Sequence, residues 1–223
     1  MTILERARPC AFSALLMCQA GSPVQAAVLA VFDFDAAGGG FTTTPGLLHP
    51  DVATASFTTT LTPLADFAGN PGRALASSGF TLGNRIVLEL AARPGQQLLA
   101  ESLAFDARVS ASGPQTWSIA LAGAAAQSGP LTTAFAPVTL TFDGAAAAPQ
   151  IVIEFAGAGA SSASGTWRLD NLRVEGQVIA NPVPLPAGLP LLGSATLAAA
   201  VLRRRRRSPI PASRRPAGSR APA

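Results

Sequence analysis

The sequence predicts an all-β protein, an antiparallel β-sandwich of jelly-roll type, and three observations lead to that prediction. Between residues 27 and 180, apolar and polar residues alternate with a period of two over segments of four to eight residues, which is typical of half-buried strands. Turn-forming stretches such as GNPGR, RPGQQ and SGPQ separate these segments. No stretch in between repeats apolar residues at helical spacing. About nine short strands at this spacing favour two packed antiparallel sheets.

The first predicted strand is AVFDFD. Its Phe32 and Phe34 share one face, while Asp33 and Asp35 share the other. Four further segments alternate in the same way: residues 102–109 (SLAFDARV), 116–121 (TWSIAL), 138–142 (VTLTF) and 151–155 (IVIEF).

The last predicted strand, TWRLDNLRV, contains one irregularity. Its apolar residues change parity between Leu169 and Leu172. A β-bulge at Asp170 and Asn171 would absorb the extra residue, and bulges often redirect side chains near sheet edges or functional sites.

The first and last strands often pair in sandwiches, so their acidic residues are expected to meet. Carboxylate and amide oxygens are the ligands that calcium prefers. We therefore hypothesise a structural calcium site built from some of Asp33, Asp35, Asp170 and Asn171. In the alternative interpretation the aspartates face water and Asn171 forms a turn.

Residues 1–26 have the pattern of a secretory signal peptide for the Sec export machinery. Arg6 and Arg8 precede an apolar run at 11–20, and SPVQA supplies small residues before a predicted cut between Ala26 and Ala27. Both cysteines of the chain, at positions 10 and 18, fall within this segment. The mature protein is therefore expected to have no disulfide and no thiol chemistry.

The C-terminal part predicts a short membrane span. Residues 185–202 carry no charge, and Leu189 to Leu202 would extend about 21 Å as a helix, short of the roughly 30 Å hydrocarbon core. Five arginines follow at once: Arg203, Arg204, Arg205, Arg206 and Arg207. Such a cluster resists translocation and stops transfer. The alternative is a buried core helix followed by a disordered basic tail.

The five residues before this span are Val183, Pro184, Leu185, Pro186 and Ala187. With the span and the arginine cluster, residues 181–207 resemble the VPLPA variant of the PEP-CTERM class of bacterial sorting signals. The resemblance implies processing by an exosortase-type membrane enzyme, transient anchoring in the inner membrane, and delivery to the cell surface or exterior. It also implies an association with exopolysaccharide. Residues 208–223, rich in Pro, Ala and Arg, are predicted to be a disordered basic tail.

Within the body, SLAFDARVSASGPQTWSI and GTWRLDNLRVEG resemble the jelly-roll modules of secreted bacterial proteins, some of which bind carbohydrate. Residues 27–180 contain six arginines and eleven carboxylates, a net charge of −5, which argues against nucleic acid as a partner. Sugar-binding surfaces usually present flat aromatic side chains. Trp117 and Trp167 lie at core parity and tyrosine is absent, which leaves Phe41 and Phe67, in loop-like sequence, as candidates for exposure.

The usual catalytic constellations are missing from the sequence. The chain has one histidine, His49, within PGLLHPD, and contains neither a Gly-x-Ser-x-Gly motif nor a phosphate-binding glycine loop. We expect a non-catalytic cell-surface or extracellular-matrix protein. Three alternatives remain open: a calcium-stabilised carbohydrate-binding module, an unprocessed inner-membrane protein and, last, a hydrolase acting on glycans through paired carboxylates.

Overall fold

The computed structural model describes residues 26–181 of the 223-residue chain. The predicted sorting signal, membrane helix, arginine cluster and tail lie outside the described residues, as does the predicted signal peptide up to residue 25. The predicted cleavage point between Ala26 and Ala27 falls immediately before the first strand. Among residues 26–181, no helix is long and apolar enough to cross a membrane.

Fourteen strands and one short 3₁₀ helix, Phe80–Leu82, make up the described structure. The strands are β1 (Ala27–Phe32), β2 (Asp35–Ala36), β3 (Gly40–Phe41), β4 (Leu47–Leu48), β5 (Val52–Thr59), β6 (Ala65–Ala68), β7 (Arg73–Ser77), β8 (Arg85–Ala92), β9 (Gln96–Val109), β10 (Thr116–Leu121), β11 (Gln127–Pro130), β12 (Ala136–Thr141), β13 (Gln150–Ala158) and β14 (Trp167–Ala180).

These strands form two antiparallel sheets and a small hairpin. The first sheet has the order β12-β9-β14-β1-β4, and β7 pairs with β14 beside β1, with β6 at its outer side. The second sheet has the order β11-β10-β13-β8-β5, and β2 and β3 form the hairpin. Because β14 pairs with β9 along one side and with both β1 and β7 along the other, it is the central strand of the first sheet.

One apolar core lies between the two sheets. The ring of Phe155 on β13 is 5.7 Å from that of Phe105 on β9 and 6.1 Å from that of Trp167 on β14, both in edge-to-face geometry. Trp117 and Trp167 are both buried, as their parity predicts. The predicted antiparallel β-sandwich is confirmed, and its strands and core lie within residues 27–180.

The first and last strands pair as expected, with Phe32 of β1 opposite Leu172 of β14. The expectation of one continuous strand through AVFDFD is wrong. The strand ends at Phe32, and Phe34 adopts a positive φ of 59°. Phe32 and Phe34 are still both buried, since the turn keeps both rings in the core while it redirects the chain.

Candidate functional site

The predicted bulge in β14 is confirmed. The register of β14 against β9 shifts between Asp170 and Arg173, and Asn171 has a positive φ of 48°. Asparagine is among the residues that tolerate this left-handed conformation. The bulge lets Leu169 and Leu172 both face the core, and it leaves the side chains of Asp170 and Asn171 beside the loop that joins β6 to β7.

Asp170 is a fully buried carboxylate at the centre of this region. Its Oδ2 accepts the backbone N–H of Asn70, and its Oδ1 accepts the backbone N–H of Asn171 at 2.8 Å. Burial raises the pKa of Asp170, the two backbone N–H groups oppose that rise, and the charges of Asp106 and Asp35 add to it. A buried carboxylate with two acidic neighbours would be stabilised by a cation.

Asp106 on β9 lies directly opposite Asp170 on β14. Its Oδ2 accepts the Nδ2 group of Asn171 at 2.9 Å and the Nδ2 group of Asn70 at 3.4 Å. The Nδ2 group of Asn171 also donates to the carbonyl oxygen of Asn70 at 2.8 Å. These hydrogen bonds join the β6–β7 loop to β9 and β14.

Asp35, the first residue of β2, reaches the same loop from another direction. Its Oδ1 accepts the backbone N–H of Arg73 at 2.9 Å. The loop approaches both carboxylates at glycines. A Cβ on Gly72 would collide with the carboxylate of Asp35, and one on Gly69 would lie 2.5 Å from Oδ2 of Asp170. Gly72 also has a φ of +78°, which side chains rarely adopt.

The four residues of the calcium hypothesis are therefore divided by the structure. Asp35, Asp170 and Asn171 lie around the loop of residues 69–73. Asp33 is exposed, and its Oδ2 lies 3.4 Å from the position that a Cβ would take on Gly46, in a different loop.

Asp106 and Asn70 also belong to this group, although neither is one of the four residues of the calcium hypothesis. Period-two alternation does place Asp106 on the outward face of β9. No local pattern indicates that the chain brings Asn70 within reach of residues about 100 positions later.

We call Asp35, Asn70, Asp106, Asp170 and Asn171 the acidic cluster. Its oxygen-rich composition suits calcium. Among residues 26–181, no group of three or more His, Cys, Asp or Glu side chains is already arranged around a common point that could hold a metal ion. The carboxylate oxygens of the cluster instead accept hydrogen bonds from N–H groups. These oxygens are therefore the kind of ligand that calcium prefers, but in this structure they point toward N–H groups.

A pair of arginines lies next to the cluster on the same outward face of the first sheet. Arg108 of β9 and Arg168 of β14 are directly opposite each other. The guanidinium carbon of Arg168 lies 4.5 Å from the ring centroid of Phe67, and that of Arg108 lies 5.8 Å from the ring centroid of Phe135. Burial, and then the charge of Arg108, lower the pKa of Arg168. We call these four residues the arginine–phenylalanine surface.

The predicted exposure of aromatic residues is only partly correct. Phe41 and Phe67 are half-buried, and each lies in a short strand, β3 or β6, where the sequence suggested loops. On the five-stranded sheet, the described outward positions carry small, aliphatic and charged side chains such as Ser118, Val152 and Glu154, without an aromatic platform. On the arginine–phenylalanine surface, by contrast, aromatic rings lie next to charged guanidinium groups.

His49 lies in the loop between β4 and β5. Its Nδ1 accepts the backbone N–H of Asp51 at 3.2 Å. Elsewhere, Glu101, Asp143 and Thr141 line a surface groove of about 420 Å³ beside the β12–β13 loop, and Glu101 accepts a hydrogen bond from the side chain of Gln177. Two carboxylates, those of Glu101 and Asp143, therefore line this groove.

The structure therefore places the chain among the antiparallel β-sandwich proteins. Comparison with known proteins does not assign it to a particular family. No protein-family model matches the sequence, and no curated protein matches it.

Several solved structures overlap the fold in part. A family 29 carbohydrate binding module is 14% identical, with a TM-score of 0.40 over 68% of this chain and 90% of that one. A family 11 carbohydrate-binding module from Clostridium thermocellum, in complex with a β-1,3-1,4-mixed-linked tetrasaccharide, is 11% identical, with a TM-score of 0.38 over 69% of this chain and 96% of that one. A family two carbohydrate esterase from Cellvibrio japonicus is 14% identical, with a TM-score of 0.33 over 60% of this chain and 38% of that one. Overlaps of this size identify neither a ligand nor an activity for this chain.

Proposed function

We propose that this chain is an exported, non-catalytic protein of the cell surface or extracellular matrix, with a jelly-roll-like module at residues 27–180 that is stabilised by calcium and binds polysaccharide. Export and sorting rest on the terminal sequences. The module rests chiefly on one structural observation, the meeting of three carboxylates from β2, β9 and β14 at a single loop.

Calcium would act as a clamp between distant parts of the chain. Oδ2 of Asp35 and Oδ1 of Asp106 accept no hydrogen bond among the described residues, so both are free to bind a cation. A bound ion would offset the repulsion between these carboxylates and the buried Asp170. The amide of Asn171 would have to turn so that its oxygen, rather than its Nδ2 group, faces the ion.

Thermal unfolding of residues 27–180 tests the clamp. We expect a higher midpoint in calcium than in EDTA, since an ion that binds only the folded state stabilises it. Asp106→Asn should remove most of this difference. Asp33→Asn is the matched control, because Asp33 is an exposed aspartate outside the cluster, and it should keep the full calcium response. An identical midpoint for the wild type in calcium and EDTA would exclude the clamp.

Titration with exopolysaccharide from the native bacterium tests the binding function. We expect saturable binding of residues 27–180 in calcium. Loss of binding in EDTA would show that polysaccharide binding requires calcium, and the acidic cluster would then be the first site to mutate. The absence of binding in both buffers would refute the polysaccharide function and leave a structural component of the cell surface or matrix.

The C-terminal mass of the cellular protein tests the sorting proposal. A processed protein should lose the chain from about Leu189 onward and leave the inner-membrane fraction. An intact C-terminal mass in the inner membrane would instead support the unprocessed, membrane-anchored alternative.

The groove beside Glu101 and Asp143 gives the hydrolase alternative a specific test. We expect no release of reducing ends from the native exopolysaccharide. Release that Glu101→Gln abolished would establish an enzyme in place of the non-catalytic module.

A further inference from the structure

The arginines of the described residues fall into two groups. Three of them, Arg73, Arg85 and Arg173, form ion pairs with carboxylates. A fourth, Arg93, donates to the backbone carbonyl of Pro50. The remaining two are Arg108 and Arg168. Neither has a carboxylate within ion-pair distance, nor a side-chain hydrogen bond, among residues 26–181.

These two arginines are also neighbours, which makes their lack of anionic partners costly. They occupy directly opposite positions on β9 and β14. Like charges directly opposite each other in an antiparallel pair destabilise the sheet. Neither guanidinium group forms an ion pair with the carboxylates two residues along each strand, because Oδ2 of Asp106 and both oxygens of Asp170 accept hydrogen bonds from Asn70 and Asn171 instead.

Each of the two guanidinium groups lies over a phenylalanine ring. Arg168 extends toward Phe67 on β6, and its Nε is buried without a hydrogen-bond acceptor among the described residues. Arg108 lies over Phe135, which immediately precedes β12. Stacking on a ring occupies the face of a guanidinium group and leaves its edge, with its terminal N–H donors, for an anion.

We infer that the arginine–phenylalanine surface is a binding site for the carboxylates of an acidic polysaccharide, with uronate sugars as its ligands. The planar fork of each guanidinium group matches the two oxygens of a carboxylate. Two adjacent forks suit a polymer with repeated carboxylates, because one chain then engages both. The parts of the half-buried rings that the guanidinium groups leave uncovered supply apolar contact for the sugars.

The surrounding charge favours a polysaccharide over a nucleic acid. Residues 27–180 have a net charge of −5, and the carboxylates of the acidic cluster lie beside the arginine pair. A phosphate backbone needs a broad basic surface. This site offers two cations in an acidic domain, which suits a ligand of lower charge density. Calcium in the cluster would reduce the local negative potential and strengthen uronate binding.

This inference rests on the proposed polysaccharide function and names its ligand class and its site. Residues 27–180 contain the whole described core and serve as the test protein. The probes are hexagalacturonate, the same oligosaccharide after reduction of its carboxyl groups, a sulfated oligosaccharide and a single-stranded oligonucleotide. Binding is measured by isothermal titration calorimetry in calcium and at fixed ionic strength.

We expect hexagalacturonate to bind, and Arg108→Gln and Arg168→Gln each to weaken binding by about tenfold or more, since each removes a charge-assisted pair of hydrogen bonds. Arg85→Gln is the charge-matched control on the other sheet, and it should bind like the wild type. Arg168→Lys retains the charge but loses the fork, so it should also bind more weakly. The carboxyl-reduced oligosaccharide should not bind.

Several results would overturn the inference. Unchanged affinity in both arginine-to-glutamine variants, equal weakening in Arg85→Gln, or equal affinity for the sulfated oligosaccharide or the oligonucleotide would each do so. Native exopolysaccharide that bound the wild type and both variants equally would overturn the inference while sparing the proposed function. Failure of that polymer to bind in any buffer would refute the proposed function itself.

Discussion

Asp170→Asn tests the acidic cluster most directly, because the change retains side-chain size while it removes one acceptor oxygen and the charge. In the wild type the two carboxylate oxygens accept the backbone N–H groups of Asn70 and Asn171. Asparagine offers one oxygen and an NH₂ group, so one of these two part-buried hydrogen bonds to the buried side chain is lost. Such a loss costs about 1–3 kcal/mol of unfolding free energy. For a domain of this size that corresponds to roughly 2–4 °C in midpoint per kcal/mol.

The sign of the pH dependence distinguishes the cost of the lost hydrogen bond from the electrostatic effect of removing the charge of Asp170. The pKa of Asp170 is raised in the folded state, so its contribution to stability is full below the unfolded value near 3.8 and is lost as pH rises through the folded pKa. In EDTA, the stability advantage of the wild type over Asp170→Asn should therefore shrink as pH rises. Calcium should reverse the trend, because a bound cation lowers the pKa of its ligand and favours the ionised side chain.

Chemical unfolding at several pH values, in EDTA and in calcium, measures this difference. The Asp33→Asn variant, exposed and outside the cluster, should follow the wild type in both buffers. If the stability difference between wild type and Asp170→Asn did not change with pH in EDTA, the assignment of Asp170 as a buried, electrostatically strained carboxylate would be wrong. If calcium failed to reverse the trend, the ion would not bind at Asp170.

Two further predictions concern the loop and the core. Gly72→Ala should lower the unfolding midpoint markedly, because its Cβ would collide with the carboxylate of Asp35. Gly95→Ala is the control, because Gly95 has a similar φ of +81° but no atom lies within 4 Å of the position that its Cβ would take. This variant should lower the midpoint only through backbone strain. Equal losses of midpoint in the two variants would show that the contact with Asp35 is unimportant. Phe155→Ala should cost about 3–5 kcal/mol in chemical unfolding, since its ring joins the two sheets. Leu82→Ala, at a side chain that is 70% exposed, should be nearly neutral, and a loss below 1 kcal/mol for Phe155→Ala would contradict the packing of Phe155 between the two sheets.

Local sequence patterns predicted much of the β-sandwich correctly. Alternation identified the strands that contain Phe105, Trp117 and Phe155, and all three side chains are buried. The parity change between Leu169 and Leu172 located the bulge. These successes share one cause. In a sheet with one buried face, successive side chains point to opposite sides, so a bulge or a core position leaves a mark within a few residues.

The break after Phe32 could not be predicted in this way. Residues 32–35 alternate like a strand, yet Phe34 adopts a left-handed conformation that still buries its ring. Alternation alone therefore gave a continuous strand and placed Asp33 with Asp35. The turn separates them, so that Asp33 lies by Gly46 and Asp35 by the β6–β7 loop.

The sequence by itself determined the class of fold, the bulge and the terminal patterns that predict export and sorting, because each depends on residues close together in the chain. Only the tertiary structure decided which polar groups meet. Asn70 reaches Asp170 across 100 residues, and Arg108 meets Arg168 across 60, because β14 lies in the middle of its sheet between β9 and the strands on its other side. Strand order fixes such meetings, and it depends on the packing of the whole chain, which no local pattern records.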